Sequence, residues 1–159
     1  MEKATRLITK TPSAYSYPLL IKQILNTPLL YAPDQEIVYR DKLRFTYRDL
    51  YKRINKLANV FGALGIGADD TVAVMDWDSH RYLECFFCVP MLGATLHTVN
   101  VRLSPEQIVF TVNHAEDTVL LVNEEFLPLV ETILPNMTTV RKTILLQESE
   151  TAPKTSLEL

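Results

Sequence analysis

A chain of 159 residues, 47% hydrophobic and 22% charged, has the length and mix of a single globular domain with one sizeable core. Its net charge of −3 gives no overall drive toward nucleic acid. No stretch reaches the ~20 apolar residues of a membrane span, and Lys22 and Gln23 break the first apolar run, so neither a transmembrane segment nor a secretory signal is expected and the chain is expected in the cytoplasm.

In chain order, residues 1–33 read as an arm punctuated by Pro12, Pro18, Pro28 and Pro33, with one short amphipathic helix over residues 19–25. Residues 36–40 and 43–46 alternate apolar with polar around an Asp41-Lys42 turn, which predicts a β-hairpin without the glycine that the tightest turns favour. Thr46, with Asp49 three positions on, is an approximate capping box. It opens a helix whose apolar face is Leu50, Ile54, Leu57, Ala58, Phe61 and Leu64, closed by Gly65 and Gly67.

From Thr71 strands and helices alternate. Strands are expected over residues 71–75, 94–99, 118–122 and 143–146, and helices over 79–91, 104–114 and 126–134, the last with Phe126, Val130 and Ile133 inward. Ser104, Pro105 and Gln107 form a strong helix start. This alternation predicts an α/β fold, a partial doubly wound parallel sheet with flanking helices, preceded by the arm and the hairpin. The expected division is an arm over 1–33, an α/β portion over 34–147 and a polar, fraying tail over 148–159.

The four glycines, Gly62, Gly65, Gly67 and Gly93, compose neither a dinucleotide fingerprint nor a Walker loop, so the chain alone is not expected to grip a triphosphate. Cys85 and Cys88 lie inside an apolar helical stretch and read as a core pair rather than a redox or zinc site. His80, His97 and His114 fall on separate elements, with no metal or nucleophile spacing. The Asn136-Met137-Thr138 sequon has no export signal to give it meaning.

In a doubly wound sheet, ligands sit beyond the carboxyl ends of the strands. The segments to inspect are Asp76-Trp77-Asp78-Ser79-His80, Asn100-Val101-Arg102, Asn123-Glu124-Glu125 and Gln147-Glu148. Asp76 and Asp78 suit either a divalent ion or a helix start, and the helix start is the favoured reading. A phospho-receiver would need an aspartate where Asn123 stands. Asn100 and Arg102 are the ligand-lining candidates, Arg102 toward a phosphate or carboxylate, with capping of the next helix as the alternative. Seven cations between Arg40 and Lys56 form either a solvated face or a patch for anionic acyl-CoA or lipid headgroups.

Two runs carry a family resemblance. Phe45-Thr46-Tyr47-Arg48-Asp49-Leu50 and, about forty residues on, Met91-Leu92-Gly93-Ala94-Thr95-Leu96-His97-Thr98-Val99-Asn100-Val101-Arg102-Leu103 resemble the first two core motifs of the adenylate-forming acyl-CoA synthetases. Leu103-Ser104-Pro105-Glu106-Gln107-Ile108, continued by Asn113-His114-Ala115-Glu116-Asp117, is similar to the medium- and long-chain fatty-acyl-CoA synthetase branch. The resemblance covers about residues 15–147 and implies the N-terminal part of an enzyme joining a fatty acid to CoA at the expense of ATP, with ATP, Mg2+ and CoA as its cofactors and co-substrates. The family's third motif, a Ser/Thr/Gly-rich phosphate loop ending in lysine, has no counterpart in these residues, nor do its catalytic segments. The resemblance therefore implies a fatty acid and CoA as partners of a parent enzyme. In this chain it implies no catalytic residue, no metal ligand, no bound cofactor and no activity of its own. The alternative is a non-catalytic binding or oligomerisation module, with the arm as the surface for a homo-oligomer.

Overall fold

The computed structural model describes residues 11–15, 18–151 and 153–157; residues 1–10 of the expected arm lie outside them. A first helix, α1 (Ile21–Tyr31), precedes a hairpin of β1 (Glu36–Tyr39) and β2 (Leu43–Thr46). Helix α2 (Tyr47–Ala63) follows, then β3 (Thr71–Met75), α3 (His80–Met91), β4 (Thr95–Thr98), α4 (Pro105–His114) and β5 (Val119–Asn123). A 3-10 turn (Glu124–Phe126), α5 (Leu127–Ile133), a second 3-10 turn (Leu134–Asn136) and β6 (Lys142–Leu146) complete the order.

The four later strands form one parallel sheet in the order β4-β3-β5-β6. The chain leaves β3 toward β4 through α3, then crosses back past β3 to β5 through α4. Crossovers of one hand that run in opposite directions put their helices on opposite faces. Two cores result. Val72, Val74, Val119 and Leu121 face α1, α2 and α3 through Leu25, Leu50, Ile54, Phe61, Cys85 and Val89. Ala73, Met75, Leu120 and Val122 face α4 and α5 through Ile108, Val112, Val130 and Ile133. The two central strands of the sheet, β3 and β5, are buried on both sides, which explains why they read as unbroken apolar runs rather than as alternation.

The local signals act as their chemistry requires. Thr46 Oγ1 accepts from Asp49 N at 3.2 Å while Asp49 Oδ2 accepts from Thr46 N at 3.3 Å, a closed capping box. The same reciprocal pair joins Ser104 and Gln107 at the start of α4. Gly93 ends the α3 turn at φ +81°, a left-handed conformation that selects glycine.

Three local expectations change. The helix expected over 19–25 begins at Ile21 and runs through Pro28 to Tyr31. Pro28 removes one backbone bond, but Leu25 and Leu29 pack into the core and Ala32 N still donates to Pro28 O at 2.9 Å, so burial outweighs the proline penalty. The hairpin connection is three residues, because Tyr39 pairs with Leu43, and Arg40 takes the left-handed conformation (φ 49°) in place of a glycine. The last helix is shorter than expected, seven residues between two 3-10 turns, with Leu127 rather than Phe126 fully inside.

In the segment expected as a polar tail, Ser149, Thr155 and Ser156 hydrogen-bond to the body. Glu124 accepts from Ser149 Oγ at 2.6 Å, and Glu131 accepts from Thr155 Oγ1 at 2.6 Å and Ser156 N at 2.9 Å.

Candidate functional site

Strands β3 and β5 are the neighbours whose outgoing crossovers part in opposite directions, so the switch point lies beyond Met75 and Asn123. There the structure brings Asp76 and Asn123 together. Asp76, 5% exposed, accepts from Asn123 Nδ2 at 2.7 Å, from Trp77 N at 2.8 Å and from Ser79 Oγ. Ser79 Oγ in turn accepts from Tyr82 N at 3.2 Å as the N-cap of α3. Asp76 therefore supports the helix start one step behind the cap, and its oxygens are already committed to the protein. Among the described residues no group of three or more acidic, His or Cys side chains is placed to hold a metal ion.

Beside the switch point a groove of about 350 Å³ runs between the Trp77–Asp78 loop, the Tyr82 and Phe86 side of α3, and the turn after β4. The indole N–H of Trp77 donates to Glu125 at 2.9 Å, and its ring lies tilted against Phe126 with centroids 5.1 Å apart. Both candidate ligand-lining residues are on the wall of this groove. They do different things. Asn100 Oδ1 accepts from Arg102 N at 3.0 Å, an Asx turn that shapes the loop. The Arg102 side chain is exposed and, among the described residues, has no hydrogen-bond or ion-pair partner, since the α4 capping box closes without it.

A second cavity of about 270 Å³ adjoins the groove, sharing Asp78, Tyr82 and Phe86 with it and adding Ile37, Val38, Tyr39 and Leu83. His80 closes its floor, 9% exposed, with its ring 5.0 Å from that of Tyr39 and 6.2 Å from that of Phe45. Burial, reinforced by the charges of Arg81 and Arg53, lowers the His80 pKa to about 4, and its buried Nδ1 has no partner among the described residues. Nearby, Glu148 accepts from Lys42 Nζ at 2.5 Å and Tyr39 Oη at 2.7 Å, and lies 3.1 Å from Arg81. Lys42 and Tyr39 together hold its carboxyl down to about 2. This contact joins the end of β6 to the hairpin. Inspecting the strand ends picks out Glu148, but its hairpin partners come from more than a hundred residues away and leave no local signal.

The basic cluster is largely neutralised. Lys42 meets Glu148, Arg44 meets Glu36, Arg48 meets Asp34, Lys52 meets Asp49, and Arg53 meets Glu84 at 2.6 Å. Arg40 lies over the Tyr39 ring. These pairs favour the solvated-face reading over an anion patch. Cys85 and Cys88 are free and buried, and burial pushes both thiols up, Cys88 to about 12, which leaves them unreactive core groups. The remaining histidine contact of note is structural: His97 Nδ1 lies 2.6 Å from the fully buried Asp117, fastening β4 to the turn before β5. No helix among the described residues is long and apolar enough to cross a membrane.

A parallel sheet wound in this order, introduced by a capped helix and a hairpin, is the α/β architecture of adenylate-forming ligases. The chain belongs to the AMP-binding enzyme family, whose profile matches residues 30–158. It is 45% identical over 105 residues to a long-chain-fatty-acid–CoA ligase of Thermus thermophilus, covering 66% of this chain and 19% of that protein. It is 35% identical over 103 residues to a medium-chain-fatty-acid–CoA ligase of Ectopseudomonas oleovorans, covering 65% and 19%. Among solved structures it superposes on an anthranilate CoA ligase bound to anthranoyl-AMP with a TM-score of 0.75 and 25% identity, over 82% of this chain and 26% of that one. A fatty acyl CoA synthetase of Mycobacterium tuberculosis shares the fold with a TM-score of 0.74 and 23% identity, over 80% and 26%. The chain thus spans about a fifth of the length of these curated relatives.

Proposed function

We propose that these residues serve an ATP-dependent fatty-acyl-CoA ligase, which converts a fatty acid, ATP and CoA to acyl-CoA, AMP and pyrophosphate, with 34–147 as the α/β portion of its N-terminal domain. The observation that carries this reading is the family match over residues 30–158 together with the 45% identity to a long-chain ligase. The role proposed for this portion is scaffold: the capped α2, the two-faced sheet and the switch-point bond of Asp76 to Asn123 fix the strand ends against which a reactive site is assembled. Isolated, it does not adenylate. Gly65 and Gly93, the glycines with positive φ, are single turns after helices and not a run of amides that could cradle phosphates. ATP-dependent pyrophosphate exchange with decanoate is expected to stay at background for the 159-residue chain, and exchange above background would overturn that statement. A Ser/Thr/Gly-rich loop ending in lysine, encoded after Leu159, would support the ligase reading, and a stop codon the module reading.

That second reading, a binding or oligomerisation module, is favoured by the apolar residues that α1 and its approach leave in solvent. Leu19, Ile24, Leu30 and Tyr31 are all more than half exposed. If they seat a second copy, sedimentation velocity of a dilute sample is expected to show a dimer that Ile24→Glu with Leu30→Glu dissociates. A strictly monomeric chain would remove this reading.

A further inference from the structure

We propose that the outer face of α1, with the residues leading into it and the end of α3, is a docking surface for an anionic phospholipid bilayer, on which the chain lies without crossing it. A surface helix of a globular protein buries one apolar stripe and shows water a polar one. Helix α1 does the first and not the second. Leu25 and Leu29 pack into the core. Yet Ile21, Ile24 and Tyr31, which Pro28 links at three- and four-residue steps into a second face, are exposed, with Leu30 beside them. The patch continues off the helix. Leu19 and Leu20 are exposed, and a cavity of about 310 Å³ joins them and Ile21 to Pro90 and the exposed Met91 at the end of α3. A contiguous apolar patch of this kind marks an interaction surface.

Charge decides the occupant. Between Glu2 and Asp34 the sequence holds no carboxylate and three cations after Lys3, namely Arg6, Lys10 and Lys22, although the whole chain carries −3. Lys22 is exposed on the rim of the cavity and, among the described residues, has no ion-pair partner. The cations of the hairpin and α2 differ, because Lys42, Arg44, Arg48, Lys52 and Arg53 each face a carboxylate. An apolar face bordered by cations and free of acids fits a bilayer interface, which takes the apolar side chains below the headgroups and the cations at the level of the phosphates. With 11 residues α1 is too short to span the bilayer. A second copy fits the same face less well. A two-fold contact sets a patch against itself, and here that would bring two acid-free, cation-bearing segments together.

Co-sedimentation of the 159-residue chain with sucrose-loaded vesicles tests this. At low salt, vesicles of equal parts phosphatidylglycerol and phosphatidylcholine are expected to bind it about tenfold more tightly than pure phosphatidylcholine, and high salt is expected to erase most of the difference. Lys22→Gln is expected to weaken binding to the anionic vesicles about fivefold, the worth of one cation at such a surface. Ile24→Glu with Leu30→Glu is expected to weaken it about tenfold or more, because both carboxylates would enter the interface. Arg44→Gln with Lys52→Gln, on the neutralised cluster, is expected to change nothing. All of these side chains are exposed, so every variant is expected to keep the wild-type urea midpoint. Equal or absent binding to the two kinds of vesicle, wild-type binding by the Ile24→Glu, Leu30→Glu variant, or loss of binding in the Arg44→Gln, Lys52→Gln variant would each overturn the proposal. So would a dimer in sedimentation velocity without vesicles that the Ile24→Glu, Leu30→Glu variant dissociates, since the face would then belong to a second copy. The assay contains no fatty acid, ATP or CoA, so its outcome is independent of pyrophosphate exchange and of the ligase reading.

Discussion

Asp76→Ala is expected to lower the stability of the chain by about 3 kcal/mol, the scale of removing a buried charged acceptor and stranding its donors. The wild-type carboxylate takes bonds from Asn123 Nδ2, Trp77 N and Ser79 Oγ. Asn123 is 2% exposed, so its amide cannot find water once the carboxylate is gone. The damage also reaches beyond one strand end, because Ser79 caps α3 and the Trp77 loop lines the groove. Urea unfolding followed by circular dichroism is the direct measurement, with Trp77 emission as a second probe expected to move to longer wavelength as the loop loosens. Asp76→Asn retains one acceptor and is expected to fall between wild type and alanine. A loss below about 1 kcal/mol for Asp76→Ala would mean that the bond pair at the switch point is not what holds the two strand ends together.

The degree to which this site can be read in the sequence follows from how far each partner lies along the chain. Capping is local, so Thr46 with Asp49, and Ser104 with Gln107, announce their helix starts and the structure closes both boxes. Burial on both faces leaves a run, and the unbroken Thr71–Met75 segment sits at the centre of the sheet accordingly. The rule that ligand sites gather at carboxyl ends of parallel strands led to Asp76, Asn100, Arg102, Asn123 and Glu148, which indeed share one end of the fold. Pairing across the fold is different. That Asn123 serves Asp76, or that Glu148 serves Tyr39 and Lys42, depends on strand order, and alternation of strands and helices does not specify which strands become neighbours. The course of α1 through Pro28 is hidden for a related reason: a proline is a local signal, whereas the burial of Leu25 and Leu29 that overrides it comes from α2 and α3.

Acid is expected to destabilise the chain in two separable steps, and the first is set by His80. Its pKa is lowered from 6.5 to about 4 in the fold, so above pH 6.5 the imidazole is neutral whether the chain is folded or not, and no penalty exists. Between 6.5 and 4 the unfolded chain binds a proton that the folded chain refuses, so stability falls as pH falls. At ~1.4 kcal/mol per unit, the loss approaches about 3 kcal/mol by pH 4 and then levels off. Glu148 leads the second step, to which Asp70, Glu124 and Glu131, each also held below the usual carboxylate range, contribute. The Glu148 carboxyl is held down to about 2 against an ordinary 4.5, so the stabilisation it gives is complete above 4.5 and is lost as pH falls toward 2. Its partner Lys42 is mostly solvent-exposed, which screens the pair and makes the second step the smaller one. Urea midpoints measured from pH 8 to pH 3 separate the two. His80→Phe, which keeps a ring between Tyr39 and Phe45, is expected to flatten the profile between 6.5 and 4 and to leave the lower step intact; His80→Gln, which is smaller, tests the same point without added bulk. Glu148→Gln is expected to leave the upper step in place and to shrink the lower one without removing it, because Asp70, Glu124 and Glu131 still contribute there. A wild-type profile that is level from pH 6.5 to 4 would mean that His80 gains a proton in the folded chain as readily as in the unfolded one, and that the rings of Tyr39 and Phe45 do not keep it neutral.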